Sequence, residues 1–166
     1  MVTADWARLM ARYNAWQNEG HLALVPALPP EELARDRGAF WGGILGTLSH
    51  LLWADRMWLS RLAGAARPPG TLGDSAGLVA DAGTWAAARQ EADAALTAWT
   101  AGLSDADLAG DLTWTSGAAG RVVTRPVGLV AAHLFNHQAH HRGQVHAMLT
   151  AMGLRPPDTD LFLLPG

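Results

Sequence analysis

Five of the seven histidines of this 166-residue chain lie between His133 and His146, in the stretch HLFNHQAHHRGQVH. A window of that size holds roughly half a histidine by chance, so the clustering calls for a chemical cause. Neutral imidazole is a common ligand for transition metals. The i, i+4 spacing of His137 and His141 stacks them on one helical face, where both reach a single ion. On a helical wheel Val127, Val130, Leu134, Val145, Met148 and Met152 form the inward stripe. His137 and His141 fall inside it, His133 and His140 at its edge, and His146 points away. A bare His-x-x-x-His also fits two core histidines hydrogen-bonded to carbonyls or water. A zincin helix is excluded: the chain reads HQAHH, with Gln138 where His-Glu-x-x-His has its base, and an amide cannot take a proton.

A stable site needs a third ligand, and His21 and His50 are the candidates. His50 is better placed, because mid-bundle sites are built from facing helices. It lies off the apolar stripe of its own helix (Ile44, Leu48, Leu51, Leu59, Leu62), on a strip of small residues, Gly43, Gly46, Thr47 and Ala54, read here as a pocket beside the imidazole. Asp55 falls within the apolar stripe, where a carboxylate either hydrogen-bonds a ligand histidine or pairs with an arginine. Gln144 sits beside the His137/His141 face, placed to orient a bound water or ligand. Arg142 points away and is read as a salt-bridge partner of Asp160. Tyr13, Trp16 and Trp53 are candidate pocket walls, with ordinary core packing as the competing reading. No Ser-His-Asp arrangement, Gly-rich phosphate loop or basic patch stands out.

Four long helices are expected to position these groups. The first covers about Ala4–Leu24, between a Thr3 cap and Pro26. The second runs from about Trp41 to Leu62, before the breaker GAARPPG. The third starts at an Asp81 cap and reaches about Leu103. The fourth starts near Pro126 and ends at about Met152, before Gly153. A short helical turn follows Pro30. The alternating DLTWT and RVVTR, joined by SGAAG, predict a small hairpin before the last helix. The tail LRPPDTDLFLLPG is irregular, and its LFLL is apolar enough to dock on the body. The expected fold is all-α, a four-helix bundle with one long crossover connection in a single domain over residues 1–166.

Composition narrows the function classes. Hydrophobic residues make up 49% of the chain and charged residues 16%, with a net charge of −3. That composition argues against disorder and against a broad nucleic-acid surface. All twelve basic side chains are Arg, which a GC-rich coding bias explains. With no cysteine, disulfides, thiolate nucleophiles and Cys-ligated metals are excluded. The amino end lacks the pattern of a signal peptide, and no run offers the roughly 18 apolar residues of a membrane span. A cytoplasmic protein without nucleic-acid or membrane partners is expected.

The stretch HLFNHQAHHRGQVH…LTAMGLRPPDTDL resembles the fourth-helix motif of the DinB/YfiT-like family of metal-dependent enzymes. LSHLLWADRMWLSRL resembles its second-helix motif and YNAWQN its first, in the same order along most of the chain. The resemblance implies a helical bundle, often a homodimer. It also implies a divalent metal held by one histidine of the second helix and two of the fourth, here His50, His137 and His141. His133 and His140 have no ligand role in the motif, although His140 neighbours the site. Three neutral imidazoles leave coordination positions open, where a water or substrate thiol loses its proton more easily. Zinc or nickel is expected, and manganese or iron fits the same donors. Some relatives use the metal to activate a low-molecular-weight thiol, which here must come from a cosubstrate. Two functions follow. One is a metal-dependent enzyme acting on a small molecule, as a thiol-dependent transferase or isomerase or as a hydrolase. The other is a non-catalytic, stress-related metal-binding dimer in which the ion staples the bundle. The lack of an obvious fourth protein ligand favours the enzyme.

Overall fold

The computed structural model describes residues 2–166, most of them helical. Helix α1 (Ala4–Leu24) opens at Thr3, whose hydroxyl accepts the Trp6 N–H, and Asp5 in the first turn complements the helix dipole. It gives way to a 3₁₀ turn at Val25–Ala27, where Pro26 cannot donate the next helical hydrogen bond. The short α2 (Pro30–Ala34) begins on a first-turn proline. Next come α3 (Ile44–Leu62) and, after a loop with a 3₁₀ turn at Ser75–Gly77, α4 (Ala82–Ala101). The Asp81 carboxylate caps α4 by accepting the Thr84 N–H at 2.8 Å. A Ser104/Asp107 capping box starts α5 (Asp105–Ala109), a turn too short for sequence periodicity to reveal. The hairpin forms as expected: β1 (Asp111–Ser116) pairs antiparallel with β2 (Arg121–Pro126), from Asp111 opposite Pro126 to Ser116 opposite Arg121. It feeds directly into α6 (Val127–Ala151).

Two expectations about α3 need correction. Helix α3 starts at Ile44 rather than Trp41, because Gly42 turns the chain with a φ of 77° and residues 39–42 close an isolated bridge. The small-residue strip on α3 is also not a pocket. A Cβ at Gly43 would collide with the Arg35 carbonyl, and one at Gly46 with the Trp41 carbonyl, so these glycines admit a close backbone crossing. Of the four small residues only Ala54 faces the cavity described below.

Helices α3 and α6 pack against each other and run antiparallel, His50 lying beside His141 and Trp58 beside His133. Helix α4 packs on both α1 and α3, and α1 also reaches α6. Two apolar clusters result. One gathers Val25, Ile44, Leu48, Leu52, Trp85, Val145 and Leu149; the other gathers Ala7, Ala11, Leu59, Leu96, Leu134 and Phe135. Each fully buried Leu or Phe contributes about 1.5–3 kcal/mol relative to exposure. Between the clusters runs a polar layer with members on all four long helices. Arg89 donates to Asp55 Oδ2 at 2.6 Å, and Gln138 donates to Asp55 Oδ1 at 3.1 Å. Asn14 and Asn18 donate to Asp93, while Arg142 donates to Asn14. Arg89 Nη2 lies 2.8 Å from Asp93 Oδ1 but off the hydrogen-bonding direction, so that contact is Coulombic.

The tail docks differently from expectation. Gln17, Tyr13 and Arg12 donate to the carbonyls of Asp158, Thr159 and Pro165 at 2.6–2.8 Å. Leu161, Phe162 and Leu163 stay exposed, Phe162 at 83%. The segment is held by its backbone carbonyls, by Leu154 against the core and by Pro157 on Gly20, not by the Leu161–Leu163 side chains. No helix among the described residues is long and apolar enough to cross a membrane.

Candidate metal centre

The antiparallel α3/α6 pair brings together three of the seven histidines. A nitrogen of each of His50, His137 and His141 lies within 4.8 Å of the other two. His50 Nε2 is 3.2 Å from His137 Nε2, and the ring centroids are 4.4 Å apart for His137 and His141 and 4.7 Å for His50 and His141. Two of the rings have their outer nitrogen engaged. Ser75 Oγ donates to the Leu72 carbonyl at 2.6 Å, so toward His50 Nδ1, 2.9 Å away, it acts as acceptor. Gln144 Oε1 accepts from His141 Nδ1 at 2.7 Å. Each contact places the proton on Nδ1 and leaves the Nε2 lone pair facing inward. The Trp41 ring stacks on His50 with centroids 4.1 Å apart and fixes its plane.

Burial and mutual proximity keep the cluster uncharged. Burial first, then His141, lowers the pKa of His50 to about 4. The same cause, followed by the other histidines, lowers His137 to about 3. His141 is lowered too, chiefly by burial and against its bond to Gln144. At neutral pH the site therefore offers three unprotonated nitrogens to one point. That is the donor set a divalent transition ion takes, and its outer hydrogen bonds are those that orient ligand imidazoles. The residues present fit such an ion.

The family model described as the DinB family matches residues 1–165. The chain belongs to the DinB family. No curated protein matches it. Membership thus rests on a match spanning almost the whole chain, and the three histidines that the family resemblance picked out are those the fold brings together.

The remaining candidate residues of this DinB-family chain divide clearly. The cluster opens onto a cavity of about 1100 Å³ between α3, α6 and the hairpin. Trp53, His133, His140 and Gln144 line it, and the Trp53 indole is fixed by donating to the Pro69 carbonyl at 2.8 Å. Tyr13 and Trp16 do not line it: they pack on each other, and Tyr13 holds the tail. Asp55 hydrogen-bonds no histidine among the described residues; it belongs to the buried ion pair with Arg89 and also accepts from Gln138. Arg142 is buried, lies over the Tyr13 ring and bonds Asn14, so it does not meet Asp160. His21, the other candidate third ligand, is buried elsewhere beside Arg142 and His146, with a pKa near 4 from burial first. His146 is half-buried rather than fully solvated. Gln138 faces Asp55 and the bundle interior, on the side of α6 away from the cavity. Sequence reasoning missed Ser75 and Trp41. Ser75 comes from a loop 25 residues beyond His50. Trp41 lies in the turn before α3 rather than in the helix that the sequence predicts from it.

Proposed function

We propose that this protein holds a divalent transition-metal ion through Nε2 of His50, His137 and His141 and acts as a metal-dependent enzyme on a small molecule. The observation that carries the reading is the convergence of three neutral imidazoles on one point at the wall of a large cavity. Three protein donors leave room for an exogenous ligand, whereas structural ions are usually closed by four. A bound ion there supplies Lewis acidity to an oxygen or sulfur donor arriving through the cavity. The chain's own residues do the rest. Ser75 and Gln144 hold two rings in the ligating tautomer, Trp41 keeps the His50 plane, and Trp53, Trp58 and Trp114 exclude water around an entering molecule. His140, on the cavity wall beside His141, is placed to exchange a proton with such a molecule. The reaction is a thiol-dependent transfer or isomerisation, the thiol coming from a cosubstrate because the chain has no cysteine, or else a hydrolysis. Zinc or nickel suits the donors, with manganese or iron as further candidates. The reading also carries one four-helix-bundle domain over residues 1–166, a homodimer in the cytoplasm, and no nucleic-acid or membrane partner.

Cobalt(II) substitution tests the open position. The expected result is a visible cobalt spectrum that changes on adding 2-mercaptoethanol, with a sulfur-to-cobalt charge-transfer band. A spectrum indifferent to thiol, azide and cyanide would mean a closed shell. It would favour the alternative of a non-catalytic dimer stapled by its ion.

A further inference from the structure

The cavity wall carries a charge pattern that the metal does not explain. Four arginines, Arg61, Arg67, Arg121 and Arg125, line it, and no aspartate or glutamate does. In the chain as a whole acidic residues outnumber basic ones, 15 to 12, so this lining is not a sample of the composition. None of the four forms a salt bridge among the described residues, whereas Arg8, Arg35, Arg37, Arg56 and Arg89 all do.

Arg61 is the one of them that lies against aromatic rings. Its guanidinium carbon lies 4.7 Å from the Trp58 ring centroid and 5.8 Å from that of Trp114, held between α3 and the hairpin. Stacking engages the face of the guanidinium and leaves its edge donors free for a planar anion. No acceptor among the described residues takes them. Arg67, exposed on the loop after α3, is close enough to lower the Arg61 pKa, second to burial. Two like charges thus line one space.

The distance from the histidines sets the length of the ligand. Arg61 lies eleven positions after His50 on α3, an axial rise of about 16 Å. Between them the α3 wall is apolar, formed by Trp53, Ala54, Met57 and Trp58, while α6 contributes Val130 and the His133 ring, which meets Trp58 edge-on. A single molecule that places an acid group at Arg61 and a reactive group at the histidines must therefore be elongated, with a largely apolar middle.

We propose that the cavity binds an elongated amphipathic anion, its carboxylate on Arg61 and Arg67, its apolar body along Trp53, Trp58 and Trp114, and its far end at the three histidines. The assignment of the far end as the reacting one rests on the metal reading; the anion subsite does not.

Calorimetric titration at low ionic strength with 6-phenylhexanoate, its alcohol 6-phenylhexan-1-ol and its amine 6-phenylhexylamine tests the subsite. The acid should bind roughly tenfold or more tighter than the alcohol, the amine weakest of all. Arg61→Gln should remove that advantage without changing alcohol affinity. Arg67→Gln should reduce it, Arg61→Lys retain part of it, and Arg56→Gln, outside the cavity, leave it intact. Equal affinities for acid and alcohol, or no saturable binding of the acid, would overturn the proposal. So would selectivity that survives Arg61→Gln and Arg67→Gln but disappears in His137→Ala, since the carboxylate would then sit at the histidines and the metal reading would stand alone. Acid selectivity retained in a wild-type protein that takes up no metal would instead sink the proposed function and leave the anion subsite in place.

Discussion

Ser75 fixes the His50 proton on Nδ1 and leaves its Nε2 lone pair facing the other site histidines. The hydroxyl is committed to the Leu72 carbonyl, so its remaining capacity toward His50 is as an acceptor of Nδ1–H. Ser75→Ala removes that acceptor and frees the ring to take the other tautomer. Loss of an outer partner of a ligand imidazole costs about 10–100-fold in metal affinity. Competition titration against a chromophoric chelator should show a loss of that size, with an unchanged far-ultraviolet circular dichroism spectrum. Unaltered affinity would mean that the hydroxyl does not orient the ring. The contact also shows where sequence reading stops. The i, i+4 relation of His137 and His141 is local and follows from helical geometry alone. The hydroxyl that locks His50 arrives from another segment, and nothing in the order of residues between His50 and Ser75 marks it. Trp41 was legible as an aromatic residue near the start of a helix, but not as the ring that stacks on His50. Its place depends on the turn at Gly42 and on the close crossing at Gly46.

At the scale of elements, α3 and α6 do two jobs on opposite faces. One face presents the histidines to the cavity; the other, through Asp55, Gln138 and Arg142, enters the polar layer. Asp55 and Arg89 are each about 2% exposed in their side chains and 2.6 Å apart, so neither charge has water to fall back on. Removing one partner of such a pair typically costs about 3–5 kcal/mol, because the other remains buried and uncompensated. Asp55→Ala should therefore lower the urea midpoint strongly, while Asp55→Asn, which keeps an acceptor for Arg89, should cost less. Equal and small effects would show the layer to be solvated. The elements themselves were largely legible: Thr3, Asp81 and Pro26 act where capping and proline chemistry place them, and the alternating strands around SGAAG form the hairpin. The polar layer was not, apart from Asp55 as a charge on an apolar stripe. Its partners, Arg89 and Asp93, lie on α4, and pairing between helices is set by packing rather than by the periodicity of either one. The tail misled for the opposite reason. Its apolar LFLL suggested burial, yet backbone carbonyls accepting from Arg12, Tyr13 and Gln17 hold it.

Across the whole molecule, folding keeps an unusual number of imidazoles neutral. His21 and His50 have pKa values near 4 and His137 near 3, each with burial as the leading cause. An unfolded chain takes up protons at these groups below about 6.5, while the folded chain does not until much lower pH. The unfolded state therefore gains as acid is added, and stability should fall as pH drops from about 6.5 toward 4. Urea midpoints across that range should decline steadily, and His21→Gln, which leaves the metal centre alone, should make the decline shallower. A midpoint independent of pH would contradict the neutral burial of these rings. The same packing places the three site histidines at the wall of a cavity of about 1100 Å³. Metal content by inductively coupled plasma mass spectrometry on tag-free protein, wild type beside His50→Ala, His137→Ala and His141→Ala, decides whether that site holds an ion. Close to one divalent ion per chain is expected in the wild type, lost in all three variants while their helical circular dichroism persists. A wild type that stays metal-free after reconstitution, or full occupancy in any one variant, would contradict it.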